Sequence, residues 1–161
     1  MRILAAIVIV SFLVSPAKPT AMSPDRIFSE NRNSVVRIFT NGVLNGCGFV
    51  VSEDGLIVTA NHVVTTEESE LSEPFSRIEV QQVGGSHPHY ATVIDHSRVS
   101  DTALLQIHVA KSPHVSLGDL SKTKPFDTAT LITFWPGSDV PLLLITGELC
   151  CLLQENQKIP F

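Results

Sequence analysis

The sequence predicts an all-β fold, and three observations carry that expectation. Short runs of β-branched or alternating apolar residues recur along the chain, separated by clusters of Gly, Pro, Asn, Asp and Ser. The spacing of those clusters fits an antiparallel sandwich or barrel. A composition of 43% hydrophobic and 17% charged residues over 161 positions allows one globular unit with a real core.

The elements follow in chain order. Arg2, the apolar "ILAAIVIVSFLV" and the small, proline-containing "SPAKPTA" read as a secretory signal peptide over residues 1–21, with cleavage expected after Ala17 or Ala21. Its apolar run is short for a membrane span, and an uncleaved anchor is the alternative. A secreted or periplasmic protein is expected, with no membrane association after cleavage. "SPDRIFSENRN" reads as a short helix, with Ser23 as N-cap, Pro24 at the first position and Asp25 in the first turn.

Eight strand candidates come next: "SVVRIFT", "CGFVVS", "GLIVTANHVV", "RIEVQQV", "YATVIDH", "TALLQIHV", "TATLITFW" and "PLLLITGELCCLL". "SEDG" is read as a tight hairpin turn in which Asp54-Gly55 supplies the positive φ of a two-residue loop. The acidic "TTEESELSEP" breaks the strand pattern and is read as a helix-biased surface loop. The polar "LGDLSKTKPFD" separates the first six candidates from the last two. It divides a first unit, residues 22–120, from a second, residues 121–161.

A net charge of −5 without a basic run argues against nucleic acid as a partner. Three cysteines in an exported chain allow at most one disulfide and a free thiol. Cys150 and Cys151 are adjacent and would pair with each other only in a strained turn; a bond from Cys47 to one of them is the alternative, though nothing in the spacing indicates it, and Cys47 reads more simply as a small packing hydrophobe. His87 and His89 have a spacing that two strand-borne zinc ligands could share, but the flanking glycines and Pro88 favour a surface loop. His96, His108 and His114 show no ligand pattern, and no metal or other cofactor is expected. Trp135, before Pro136-Gly137, reads as a core or loop-packing aromatic.

Two stretches carry chemistry. In "GLIVTANHVV" an apolar run climbs to His62 and continues apolar beyond it; alone, that histidine reads as a packed core residue. In "SDTALLQI" Asp101 opens another apolar run, and alone it reads as a turn or strand-capping acid. Together they suit a couple in which the acid accepts the Nδ1 proton, fixes the tautomer and stabilises the imidazolium during proton transfer.

"NSVVRIFTNGVLNGCGFVVSEDGLIVTANHVV" resembles the opening of trypsin-like serine peptidases of the bacterial HtrA/Deg type, with Gly46 and Gly48 as the glycine pair of its strand. "YATVIDHSRVSDTALLQI" is similar to the second landmark of that family. "VSLGDLSK" and "LITFWPGSDVPLLLITGELC" resemble its link between barrels and the first strands of the second barrel. The resemblance runs from about Ser34 to about Leu152. It implies a double β-barrel with the first barrel complete and the second begun, polypeptide substrates, His62 as catalytic base and Asp101 as its orienter.

The same resemblance places the nucleophile in a Gly-Asn-Ser-Gly-Gly-Pro-like loop downstream of "LLLITGELC". None of Ser112, Ser116, Ser121 or Ser138 has a Gly-x-Ser-Gly context. Cys150 and Cys151 follow in the right order for a thiol version, but "ELCCLL" reads as a strand interior without an oxyanion turn. The expectation is a truncated serine endopeptidase chain, inactive alone and prone to self-association through uncovered sheet edges. The alternative is a non-catalytic, protease-like protein-binding module.

Overall fold

Two three-stranded meanders joined along both edges make a closed barrel. In the computed structural model, which describes residues 22–66, 73–134 and 143–149, the first meander is β1 (Val35–Thr40), β2 (Val43–Val50) and β3 (Leu56–Thr59). The second is β4 (Ile78–Gln82), β5 (His89–Ser97) and β6 (Thr102–Ile107). β3 pairs antiparallel with β6 and β1 with β4, so the barrel order is β1-β2-β3-β6-β5-β4. Closure leaves no strand edge unpaired. β7 (Thr128–Thr133) and β8 (Leu143–Glu148) form a separate antiparallel pair. The first six strand candidates thus make the barrel and the last two begin a second sheet.

The core follows from the period of two along each strand. Val36 and Ile38 of β1, Val50 of β2, Ile57 of β3, Val80 of β4, and Leu105 and Ile107 of β6 are all fully buried. Ala91 and Val93 of β5 pack against them half-buried. Burying one such branched side chain contributes roughly 1.5–3 kcal/mol, so the barrel interior dominates stability. Helix α1 (Pro24–Asn31) precedes the barrel and buries no residue. Ser23 holds its N-cap position, but through its backbone carbonyl, which accepts from the Arg26 and Ile27 N–H groups at 3.0 Å, and not through its side chain.

Several local expectations change. The Val51 N–H to Leu56 carbonyl bond (2.8 Å) closes a four-residue loop over "SEDG", in which only Gly55 has a positive φ (91°). The two-residue turn lies instead at Asn41-Gly42 (φ 51° and 82°), so β2 begins at Val43, well before Cys47. His89 opens β5 opposite Val80 rather than sitting in a loop, while His87 does precede the strand.

"GLIVTANHVV" is not one strand. β3 stops at Thr59 and a single helical turn, α2 (Asn61–Val64), follows. Val63 and Val64 turn back into the barrel, 5% and 0% exposed, while His62 between Asn61 and Val63 faces outward.

Most of "TTEESELSEP" (residues 67–72) lies outside the described residues. So do the signal-peptide segment 1–21, Trp135, Ser138, Cys150 and Cys151. Among the described residues, no helix is long and apolar enough to cross a membrane.

Candidate active site

A four-residue helix has no stability of its own in water, so α2 takes its place from what holds it. Its N-cap residue, Ala60, has no side chain to bond the orphan N–H groups of the first turn. Asp101, from the turn between β5 and β6, supplies that bond from across the barrel end. Its Oδ1 accepts the His62 backbone N–H at 3.1 Å, and its Oδ2 meets His62 Nδ1 at 2.8 Å. One carboxylate therefore fixes both the backbone and the ring of the same histidine.

The backbone of Asp101 suits this duty. It has φ 47°, a left-handed conformation that Asp adopts more readily than most residues. The reversal ends there, and Thr102 starts β6.

The electrostatics follow from the contacts. The His62 backbone N–H, and after it the His62 ring N–H, hold the Asp101 carboxyl below its ordinary value of 3.8, with a smaller contribution from the Asn61 backbone N–H. Asp101 is thus a carboxylate at neutral pH and can only accept. Nδ1 of His62 must then carry the proton, which leaves the Nε2 lone pair free to take another. The two side chains are 58% and 52% exposed, so the pair is open to a reacting partner. The arrangement can remove a proton at Nε2 and hold the resulting imidazolium against a fixed negative charge.

Two further contacts hold the turn, and neither has a local signature. Asn45 sits where β1 and β2 slip register between Ile38 and Phe39, and its Nδ2 donates to the Val63 carbonyl at 2.8 Å. On β5, His96 Nδ1 meets the side-chain Oδ1 of buried Asn61 at 3.0 Å. Gly46 explains the small residue in the "NGCG" stretch: a Cβ there would lie 2.7 Å from Cγ2 of Val63, so α2 packs down only because that position is bare.

The remaining candidates lie elsewhere. Cys47 is half-buried, with Sγ 3.4 Å from Thr133 Oγ1 of β7. Ser112 is buried and accepts from Gln82 Nε2, Ser121 donates to Asp119 at 2.6 Å, and Ser116 is exposed. His114 Nδ1 bonds the Ser112 carbonyl and His108 is exposed. Among the described residues, no group of three or more His, Cys, Asp or Glu side chains is disposed to hold a metal ion.

Comparison with known proteins finds consistent relatives. The family model described as "Trypsin-like peptidase domain" matches residues 46–159. "Serine protease HTRA2, mitochondrial" of Drosophila persimilis is 38% identical over 77 residues, 48% of this chain and 16% of that protein. "Serine protease HTRA3" of Homo sapiens is 34% identical over 118 residues, 71% of this chain and 24% of that protein. The chain therefore spans a quarter or less of the length of these curated relatives. Among solved structures, "HtrA-type protease AlgW with decapeptide" aligns with a TM-score of 0.66 and 18% identity, covering 80% of this chain and 46% of that one. That likeness is one of fold.

Proposed function

The chain belongs to the trypsin-like peptidase domain family, and on that premise we propose that His62 is the general base, and Asp101 its orienting partner, in serine-type cleavage of peptide bonds. The observation that supports this reading is the pair of hydrogen bonds that one carboxylate accepts from the backbone and the ring of His62. In such a reaction Nε2 takes the proton of a serine hydroxyl as its oxygen attacks the peptide carbonyl, and later returns it to the leaving amine. Asp101 fixes the tautomer of the neutral ring, with the proton on Nδ1 and the lone pair on Nε2, and stabilises the imidazolium in between. Polypeptides are the proposed substrates, a reading supported by the decapeptide that accompanies the aligned HtrA-type protease AlgW.

The 161 residues contain no Gly-x-Ser-Gly stretch that could present a nucleophile beside an oxyanion hole. They supply the base half of the chemistry and do not hydrolyse peptides efficiently by themselves. The N-terminal segment, with Arg2, an apolar run and small residues to Ala21, directs export and is removed after Ala17 or Ala21. Mass spectrometry of the mature N-terminus checks that point.

The test of the catalytic reading joins this barrel in frame to the serine-bearing remainder of an HtrA-type relative. Casein cleavage by the chimera should fall by about a thousandfold or more on His62→Ala. Undiminished cleavage in that variant would sink the assignment. The 161-residue chain alone should leave casein intact, and cleavage by it that depends on His62 would show that it holds a nucleophile after all. A stable monomer that binds unfolded polypeptide without cleaving it, next to a chimera indifferent to His62, would favour a non-catalytic binding module.

A further inference from the structure

We propose that His96 is a positioning residue for His62, acting through Asn61. The inference rests on the base role assigned to His62 above. His96 is the last but one residue of β5 and Asp101 lies in the turn that follows, so both belong to the same hairpin, β5–β6. Asn61 and His62 are consecutive residues of α2. Two side-chain links therefore join the same two elements: His96 Nδ1 to Asn61 Oδ1 at 3.0 Å, and Asp101 Oδ2 to His62 Nδ1 at 2.8 Å.

The hairpin's Asp101 grips α2 at His62, and Asn45 holds the turn at Val63 from the other meander. A second link from the hairpin, on the neighbouring residue, helps fix the orientation of the turn. The first link is also the sheltered one: Asn61 is 4% exposed, whereas the His62–Asp101 pair stands more than half open to solvent. A sheltered bond competes less with water and opens less often.

The direction of the bond is set by chemistry. The amide oxygen of Asn61 can only accept, so Nδ1 of His96 donates. Neutral imidazole in the Nδ1–H tautomer and imidazolium both keep that proton, so the link survives ring protonation. What matters at position 96 is then a donor at the δ position of the side chain. Asn places its Nδ2 group there, and Leu does not. His96 also lines a shallow surface cavity of about 270 Å³ with Asp95, Ser97 and Thr102. Removing part of the ring therefore enlarges a solvent-accessible depression and leaves no sealed void.

The experiment follows the His62 Nδ1 proton by NMR in the 161-residue chain labelled with ¹⁵N-histidine, assigned by its disappearance in His62→Gln. With His96→Leu, which fills the space but removes the donor, exchange of that proton with water should quicken by about tenfold or more. With His96→Asn, which restores the donor and loses the ring, exchange should stay within about twofold of the parent. The reverse order would show that ring packing is what counts and would overturn the proposal, as would two variants indistinguishable from the parent. If His96→Leu does not fold, His96→Asn decides: a parent-like signal supports the proposal and a fast-exchanging one overturns it. Asp101→Asn is the control for the underlying reading. An unchanged His62 signal there defeats the His62–Asp101 pair itself, whereas loss in Asp101→Asn with none in His96→Leu defeats only the role of His96.

Discussion

The barrel and the β7–β8 pair are made of similar residues and reach different states. Every barrel strand has two neighbours, and every one except β5 places at least one fully buried apolar side chain in the interior. Among the described residues, β7 and β8 have only each other, and the facing pair Leu131 and Ile145 are 56% and 48% exposed. The two units touch where Cys47 meets Thr133 and where the Arg37 guanidinium lies over the Phe134 ring, 5.6 Å from its centroid. The difference teaches that the barrel alone carries the order of the site: His62, Asp101, Asn61, His96 and Asn45 all belong to it.

Perturbations of the barrel should therefore disturb His62, and perturbations of the small sheet should not. The largest effect is expected from Leu105→Ala, which empties a fully buried position of β6 and should cost about 2–5 kcal/mol in urea unfolding. Next comes Gly46→Ala, whose Cβ would press on Val63. A loss of roughly 1–3 kcal/mol, with a shifted His62 ring resonance, is expected. If that resonance stays put, α2 is not seated through Gly46.

Asn45→Ala removes one donor to the Val63 carbonyl and should cost about 1 kcal/mol, again with His62 reporting. Weaker still is the pH effect. The carboxyl of Asp101 is held below 3.8 in the folded chain, so its contribution is present above that value and disappears as pH falls through the lowered one. The urea midpoints of the parent and Asp101→Asn should converge between about pH 5 and about pH 2. A gap that stays constant over that range would break the link between the carboxylate and stability. Smallest of all, Leu131→Ser should change barrel stability by no more than about 0.5 kcal/mol. It should nevertheless reduce concentration-dependent association in sedimentation velocity, because the exposed apolar face is the surface we propose to drive self-association.

Strand count and order of use were legible because alternation is a local signal: "SVVRIFT" and "TALLQI" announce their buried faces within a few residues. The His62 and Asp101 motifs were legible through their resemblance to a family, since alone the one reads as a core histidine and the other as a turn acid. The single turn of α2 was not, since Val63 and Val64 continue an apolar run and four residues are too few to reveal a helical period. Nor were Asn45 and His96. The first works from a register slip between β1 and β2, the second from the far meander, and neither location exists until the strands have paired. His96 looked like one of several scattered histidines because its partner, Asn61, is near only in space.

The joining of β3 to β6, instead of to the next strand in the chain, has a consequence in time. His62 and Asp101 are 39 residues apart, and no local hairpin brings them together. They meet when the two meanders dock, a step of high contact order that places folding in the slower range of small domains, about milliseconds to seconds. During synthesis the chain has to be completed through Ile107 before the imidazole can find its carboxylate. In refolding, the His62 Nδ1 proton should gain protection together with the β3–β6 amides and after those of the β1–β2 hairpin. Protection of that proton at the same time as, or before, the β1–β2 amides would show that the site does not wait for the barrel to shut.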